Sequence, residues 1–174
     1  MAESFPTNFL DAQRFTAASS YFQQGLAVLS SLGARIPSGR NYVGQPLDPG
    51  PDGEAFACRW APEGTTAPHD HGGGEGLVLV QEGLLIETKF EFDGSELVPV
   101  ERRMLLPGDI TWLGGRDIHT VEAHEPSWSL HFYWGKGDTY RIFDPVGRVT
   151  HEVRDTGAWL PVDPDSIVAS TPWS

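Results

Sequence analysis

HDHGGGEGLVLVQEGLLIETKF, residues 69–90, is the stretch on which the fold turns. It opens with His69 and His71 around Asp70, crosses a run of glycines, and then becomes apolar. Residues 77–82 and 84–92 read as two strands that meet at Gly83. Side chains two apart on an extended chain share a face, so His69 and His71 can reach one ion while Asp70 points away. Glu75 follows within the same stretch as a candidate fourth ligand. Taken alone, a His-x-His is equally what two unrelated surface histidines look like.

Outward from that stretch the same short-strand pattern continues. Residues 55–60 read as a strand before it. After it, Asp93-Gly94 is a strong hairpin turn into 96–100, with further strands at 104–106, 110–113, 119–123, 127–134, 140–143 and 148–153. Strands at even spacing with no helix between them argue for a sandwich or small barrel. Only the beginning reads as helix, over residues 8–33, with Asn8 as its cap and an apolar stripe of Phe15, Ala18, Phe22, Leu26 and Leu29. Residues 37–53 read as irregular loop, and the tail after Trp159 as an irregular segment packed outside. The expected organisation is one domain, with a helical segment over residues 1–38 packed on a barrel over 39–174.

Composition agrees and excludes several classes. A chain of 174 residues with 39% hydrophobic and 21% charged residues has enough apolar surface for one core. A net charge of −12 disfavours nucleic acid and anionic membranes as partners. The single cysteine, Cys58, permits no internal disulfide. The opening residues show no basic region followed by an apolar run, and no stretch approaches the ~20 apolar residues of a membrane span. A reducing cytoplasm is the expected location.

Two further features carry chemistry. His119 lies just beyond the turn Pro107-Gly108-Asp109 and is a third candidate ligand. Three neutral imidazoles would leave a divalent metal its full charge and open positions, whereas Glu75 as a ligand would lower both. Residues 127–134, SWSLHFYW, sort by period two into Ser129, His131 and Tyr133 on one face and Leu130, Phe132 and Trp134 on the other. The aromatic face belongs against a core. The polar face must look to solvent or into a polar cavity, and its order of hydroxyl, imidazole and phenol suggests a hydrogen-bonded relay. Trp60, Trp112, Trp128 and Trp134 read as core, with an aromatic-lined pocket as the alternative. No nucleophile elbow, Walker loop or dinucleotide-binding glycine motif is present.

Together these motifs resemble the cysteine dioxygenase family, the thiol dioxygenases of the cupin superfamily. Residues 69–90 resemble that family's His-Asp-His strand, hairpin glycine and Glu-Thr pair. GDITWLGGRDIHTVE resembles the segment carrying its third histidine, SLHFY its Ser-x-His-x-Tyr strand, and RIFDPVGR the segment that follows. The likeness covers about residues 40–148.

The resemblance implies a mainly β fold, a cupin-type double-stranded β-barrel or jelly roll, with iron(II) on His69, His71 and His119. It implies Ser129, His131 and Tyr133 as the catalytic relay and Arg40 as the substrate-carboxylate residue, with Arg59 as a competitor. The implied reaction oxidises a small thiol, cysteine foremost, with O₂ to the sulfinate, and the implied oligomeric state is a monomer. The chain departs from the family at two places. Animal members carry a cysteine that cross-links to the active-site tyrosine, and Gly76 stands at the matching position. Glu75 stands where other metal-binding cupins place a carboxylate ligand; a supporting or salt-bridged carboxylate is the alternative role. Rival readings are a related oxidation of 3-mercaptopropionate, mercaptosuccinate or cysteamine, a non-thiol cupin enzyme using Glu75, and a cupin that only binds a ligand or senses metal.

Overall fold

The structure is a computed structural model that describes residue 36, residues 40–47, 53–154 and 156–174. The helix expected over residues 8–33 lies outside the described residues. Eleven strands make up almost all regular structure among the described residues: β1 Tyr42–Leu47, β2 Gly53–Trp60, β3 Glu75–Glu82, β4 Leu85–Phe92, β5 Leu97–Leu105, β6 Ile110–Leu113, β7 Ile118–Ala123, β8 Ser127–Trp134, β9 Tyr140–Asp144, β10 Val149–Val153 and β11 Ile167–Pro172. They form one five-stranded sheet in the order β1-β2-β8-β3-β6 and two three-stranded sheets, β5-β4-β7 and β11-β10-β9. All named pairings are antiparallel.

The hairpins stand where the turn residues require them. Gly83, at φ +81, joins β3 to β4 in a left-handed conformation that other residues adopt poorly. At the β4–β5 turn Asp93 Oδ1 accepts from the backbone N–H of Ser95 at 2.8 Å and of Glu96 at 2.9 Å.

Strand content differs from the sequence reading at three places, and proline is the reason at two of them. β1 lies in the stretch read as loop and carries Pro46; β11 lies in the tail read as irregular and ends at Pro172; β5, read as two strands either side of residues 101–103, is continuous across that charged Glu-Arg-Arg stretch. Each is an edge strand, where a residue without an N–H costs no ladder bond on the open side. The carboxyl-terminal segment is therefore a pairing strand of the sheet rather than irregular packing.

A core cluster of Cys58, Trp60, Val80, Leu85, Leu105, Val121 and Ala123 joins the five-stranded sheet to β4, β5 and β7. Cys58 is a free thiol within it, pushed up to about 12 by burial. On the other face of β8, Phe132 and Trp134 pack with Ala55 and Leu77, as the period-two reading requires. On the opposite face Ser129 is fully buried and His131 lines a cavity. Among the described residues, no helix is long and apolar enough to cross a membrane.

Candidate metal centre and its cavity

His69 and His71 lie on the segment between β2 and β3, and His119 is the second residue of β7. Backbone ties bring them together. His69 N–H donates to the His119 carbonyl at 3.0 Å, and His119 N–H donates back to the His69 carbonyl at 2.9 Å. His69 also bridges Ile142 of β9 on its other side. Asp70 does point away, as expected from the extended geometry. Its carboxylate accepts from the Arg141 backbone N–H at 2.8 Å, from Arg141 Nε at 2.7 Å and from Gly72 N–H at 3.2 Å.

One ligand atom from each of His69, His71 and His119 lies within 4.8 Å of the others, and all three residues are buried. His69 Nδ1–H donates to the Ala67 carbonyl at 2.9 Å, leaving Nε2 as its free lone pair. His119 Nδ1 is 3.0 Å from Glu87 Oε1, so its Nε2 is likewise free. The Nε2 atoms of His71 and His119 lie 3.0 Å apart, a spacing that suits two nitrogens sharing one ion at about 2.1 Å each. Burial, then the neighbouring imidazoles, hold His69 down at about 3 and His71 well below the usual histidine range. Both are therefore neutral ligands at neutral pH. Three clustered, buried imidazoles, two of them (His69 and His119) with the second ring nitrogen already engaged, are a donor set that fits a divalent transition metal.

Glu87 of β4 is the supporting carboxylate, and it was legible in the sequence only as part of a resembling segment. It is 1% exposed. Its Oε1 faces His119, while Oε2 accepts from Arg103 Nη2 at 2.9 Å and from Thr111 Oγ1 at 2.7 Å. Burial alone would raise its pKa. The hydrogen bonds from His119, Arg103 and Thr111 outweigh burial and hold it down at about 2. Glu75, at the start of β3 opposite Trp134, is not among the grouped ligand atoms and lines neither cavity described below.

The polar face of β8 supplies a second hydrogen-bonded chain. Trp60 Nε1–H donates to Ser129 Oγ at 2.8 Å; Ser129 Oγ is 2.8 Å from His131 Nε2; His131 Nδ1 is 2.8 Å from the Tyr133 hydroxyl. Proton counting gives the chain a direction. An indole N–H can only donate, so the Ser129 oxygen accepts from Trp60, and with His131 Nε2 as the hydroxyl's other partner among the described residues its proton is aimed at that nitrogen. Burial, then His119, hold His131 down at about 3, so its ring carries one proton. That proton sits on Nδ1 and is donated to the Tyr133 oxygen. The phenol proton of Tyr133 is then free for the cavity, and burial drives Tyr133 well above the usual tyrosine range. The His71 and Tyr133 rings stack with centroids 4.6 Å apart, which places the end of this chain beside the three histidines. Trp60, a core residue as read from the sequence, is thus also the anchor of the relay, a role that nothing in its spacing announced.

Gly76 pairs with Tyr133 across β3 and β8, and a Cβ on it would stand 2.6 Å from Tyr133 Cδ1. The position at which the resembling family carries its cross-linking cysteine is therefore filled by the tyrosine ring itself.

A cavity of about 270 Å³ is lined by the three histidines, His131, Tyr133, Trp60, Cys58 and Lys136 among others. It is smaller than the roughly 300 Å³ at which drug-sized pockets begin, so it fits a small substrate. An outer basin of about 980 Å³ shares Glu54, Tyr133, Lys136, Tyr140 and Trp159 with it. Arg40 lines only the outer basin, with its guanidinium 3.7 Å from the Trp159 ring centroid. Arg59 lines neither cavity and lies over Trp128 at 5.4 Å.

No protein-family model and no curated protein matches the chain. Many solved structures do match. A sugar phosphate isomerase of the cupin superfamily from Silicibacter pomeroyi is 17% identical at a TM-score of 0.51, over 76% of this chain and 91% of that one. An oxalate oxidase in complex with the substrate analogue glycolate is 16% identical at 0.53, over 68% of this chain and 62% of that one. A protein with a double-stranded β-helix domain from Klebsiella pneumoniae is 16% identical at 0.50, over 63% and 84%. At such identities the likeness establishes the fold: this chain is built as the double-stranded β-helix of the cupin proteins, with a histidine triad able to hold a metal.

Proposed function

We propose that the protein is an iron(II)-dependent thiol dioxygenase, converting a small thiol carboxylate and O₂ to the sulfinate, with cysteine the foremost substrate. The observation that carries this reading is the directed chain from Trp60 to Tyr133 ending beside the three clustered histidines. Iron(II) on His69, His71 and His119 would supply a seat for a thiolate and the one-electron chemistry that O₂ requires.

The chain's own residues perform the rest. Tyr133 holds a hydroxyl proton at Oη and offers it as a hydrogen bond into the cavity, while His131 and Ser129 fix its orientation. A phenol whose ionisation is opposed by burial keeps that proton and acts as a donor throughout the neutral range. Trp60, Val121 and Tyr140 wall the chamber and limit water around the reacting sulfur. The reaction balances as one thiolate plus one O₂ giving one sulfinate, with both oxygen atoms on sulfur.

A second reading is a metal-dependent cupin acting on a small oxygen acid rather than a thiol. The oxalate oxidase neighbour with glycolate favours it. The deciding experiment is O₂ consumption by the iron(II)-loaded protein with cysteine, cysteamine, 3-mercaptopropionate, mercaptosuccinate, oxalate and glycolate. One O₂ per thiol with a sulfinate product is the expected result. Uptake with oxalate or glycolate and with none of the thiols replaces the first reading by the second. His119→Ala should lose both iron and turnover, and retained iron with full turnover overturns the site.

A further inference from the structure

The thiol reading leaves open which group on this chain recognises the rest of the substrate, and the neck between the two cavities carries a pair of opposite charges suited to it. Lys136 Nζ donates to Glu54 Oε2 at 2.9 Å, and both residues line the inner cavity and the outer basin. Among the described residues Lys136 is the one lysine or arginine that lines the histidine cavity.

Its position is built, not incidental. Glu54 sits on β2 opposite Tyr133 in register, and Lys136 follows β8 through Gly135, which adopts φ +60. Gly137 N–H donates to the Gly72 carbonyl at 3.2 Å. A Cβ on Gly74 would stand 2.8 Å from Lys136 Cα, so the loop after His71 and the turn after β8 are clasped together. Lys136 is thereby held beside a candidate metal ligand, while its side chain and that of Glu54 are 29% and 45% exposed. An ion pair this open to water is weak, and its partners exchange readily.

We propose that Lys136 takes the carboxylate and Glu54 the ammonium group of the substrate, so that this neck selects an amino-acid thiol. The proposal rests on the thiol reading for the sulfur only; the charge recognition stands on the pair. A zwitterion re-pairs both side chains without adding net charge to the neck. A thiol carboxylate without an amine strands Glu54, and an aminothiol without a carboxylate strands Lys136. Arg40, stacked on Trp159 in the outer basin, is the competing cation.

The test measures anaerobic binding of cysteine, 3-mercaptopropionate and cysteamine to the iron(II)-loaded full chain by calorimetry. Without O₂ the binding is read whether or not oxidation would follow. Cysteine should bind about tenfold or more tightly than either truncated thiol. Lys136→Met should erase its advantage over cysteamine and Glu54→Gln its advantage over 3-mercaptopropionate, with Lys136→Arg restoring most of the first. Equal affinity for the three thiols, no binding of any, or loss of the carboxylate preference in Arg40→Met instead of Lys136→Met overturns the proposal. Cysteine that binds as expected and drives no O₂ uptake removes the thiol dioxygenase reading and leaves the charge-reading pair in place.

Discussion

Two hydrogen-bonded chains converge on the candidate metal centre, and they differ in kind. Behind His119 the chain is ionic: Arg103 and Thr111 hold the Glu87 carboxylate, and Glu87 faces the imidazole. Behind Tyr133 every member is neutral: indole, hydroxyl, imidazole and phenol in series. The ionic chain presents a fixed negative charge to a ligand, which raises the donor strength of its free nitrogen. The neutral chain carries no charge to the centre and instead decides which way a proton points. One fold therefore backs a candidate ligand from one side and orients a donor from the other, with Glu87 and His119 on β4 and β7 and the neutral chain on β2 and β8, and Thr111 reaching Glu87 from β6 of the latter sheet.

The comparison can be broken most severely on the ionic side. Glu87→Gln should lower iron affinity by about 10- to 100-fold while leaving the fold intact, read by competition with a chelator. Unchanged affinity would reduce Glu87 to a structural ion-pair partner. On the neutral side, Trp60→Phe removes the donor that fixes the direction of the relay. Ser129 can then accept from His131, and Tyr133 can turn its proton back to Nδ1. The expected result is about a tenfold fall in kcat, the weight of one buried hydrogen bond, with iron content unchanged. Loss of iron in that variant would mean that the two chains are not separable.

Acid should sharpen the contrast most gently. In both chains the folded protein binds protons less readily than the unfolded chain, Glu87 at about 2 against 4.5 and His131 at about 3 against 6.5. The unfolded state therefore takes up protons first as pH falls, and stability declines with acid on both accounts. The His131 contribution, with that of His69 of the same sign, is present above pH 6.5 and drains away towards about 3. The Glu87 contribution is present above 4.5 and drains towards about 2. Denaturant midpoints of the metal-free protein should be flat from neutrality up to the ordinary thiol range, where the raised Cys58 begins to cost stability, and should fall below neutrality and steepen below 4.5. Glu87→Gln should remove only the lower limb.

What could be read from the sequence followed from periodicity and from ligand chemistry. His69 and His71 two apart, the two faces of Ser127–Trp134 and the Asp93-Gly94 hairpin are local signals, and the structure places them accordingly. His119 was legible as a ligand type, but its approach to His69 depends on a backbone bridge across 50 residues of sequence, which no local pattern encodes. The hydrogen-bonding roles of Glu87 and Trp60 were hidden for a related reason. A buried glutamate on a strand looks like any outward-facing charge until Arg103 and Thr111 are folded over it, and a core tryptophan hides its one polar atom. The edge strands β1 and β11 were lost to proline, which counts against a strand only when both sides must pair.

The bridge made by His69 has a reach beyond the centre. The segment around it acts as a splint: Thr66 and His69 are tied to β7 by bonds to Val121 and His119, while Pro68 and Asp70 are tied to β9 by bonds to Phe143 and Arg141. A shared splint cannot loosen on one side alone. Whatever steadies His69 also steadies β9–β11, since any ligand that binds only the folded state withdraws both sheets from local opening. The carboxyl-terminal strands, which contribute none of the three histidines, thereby become a gauge of whether the centre is filled.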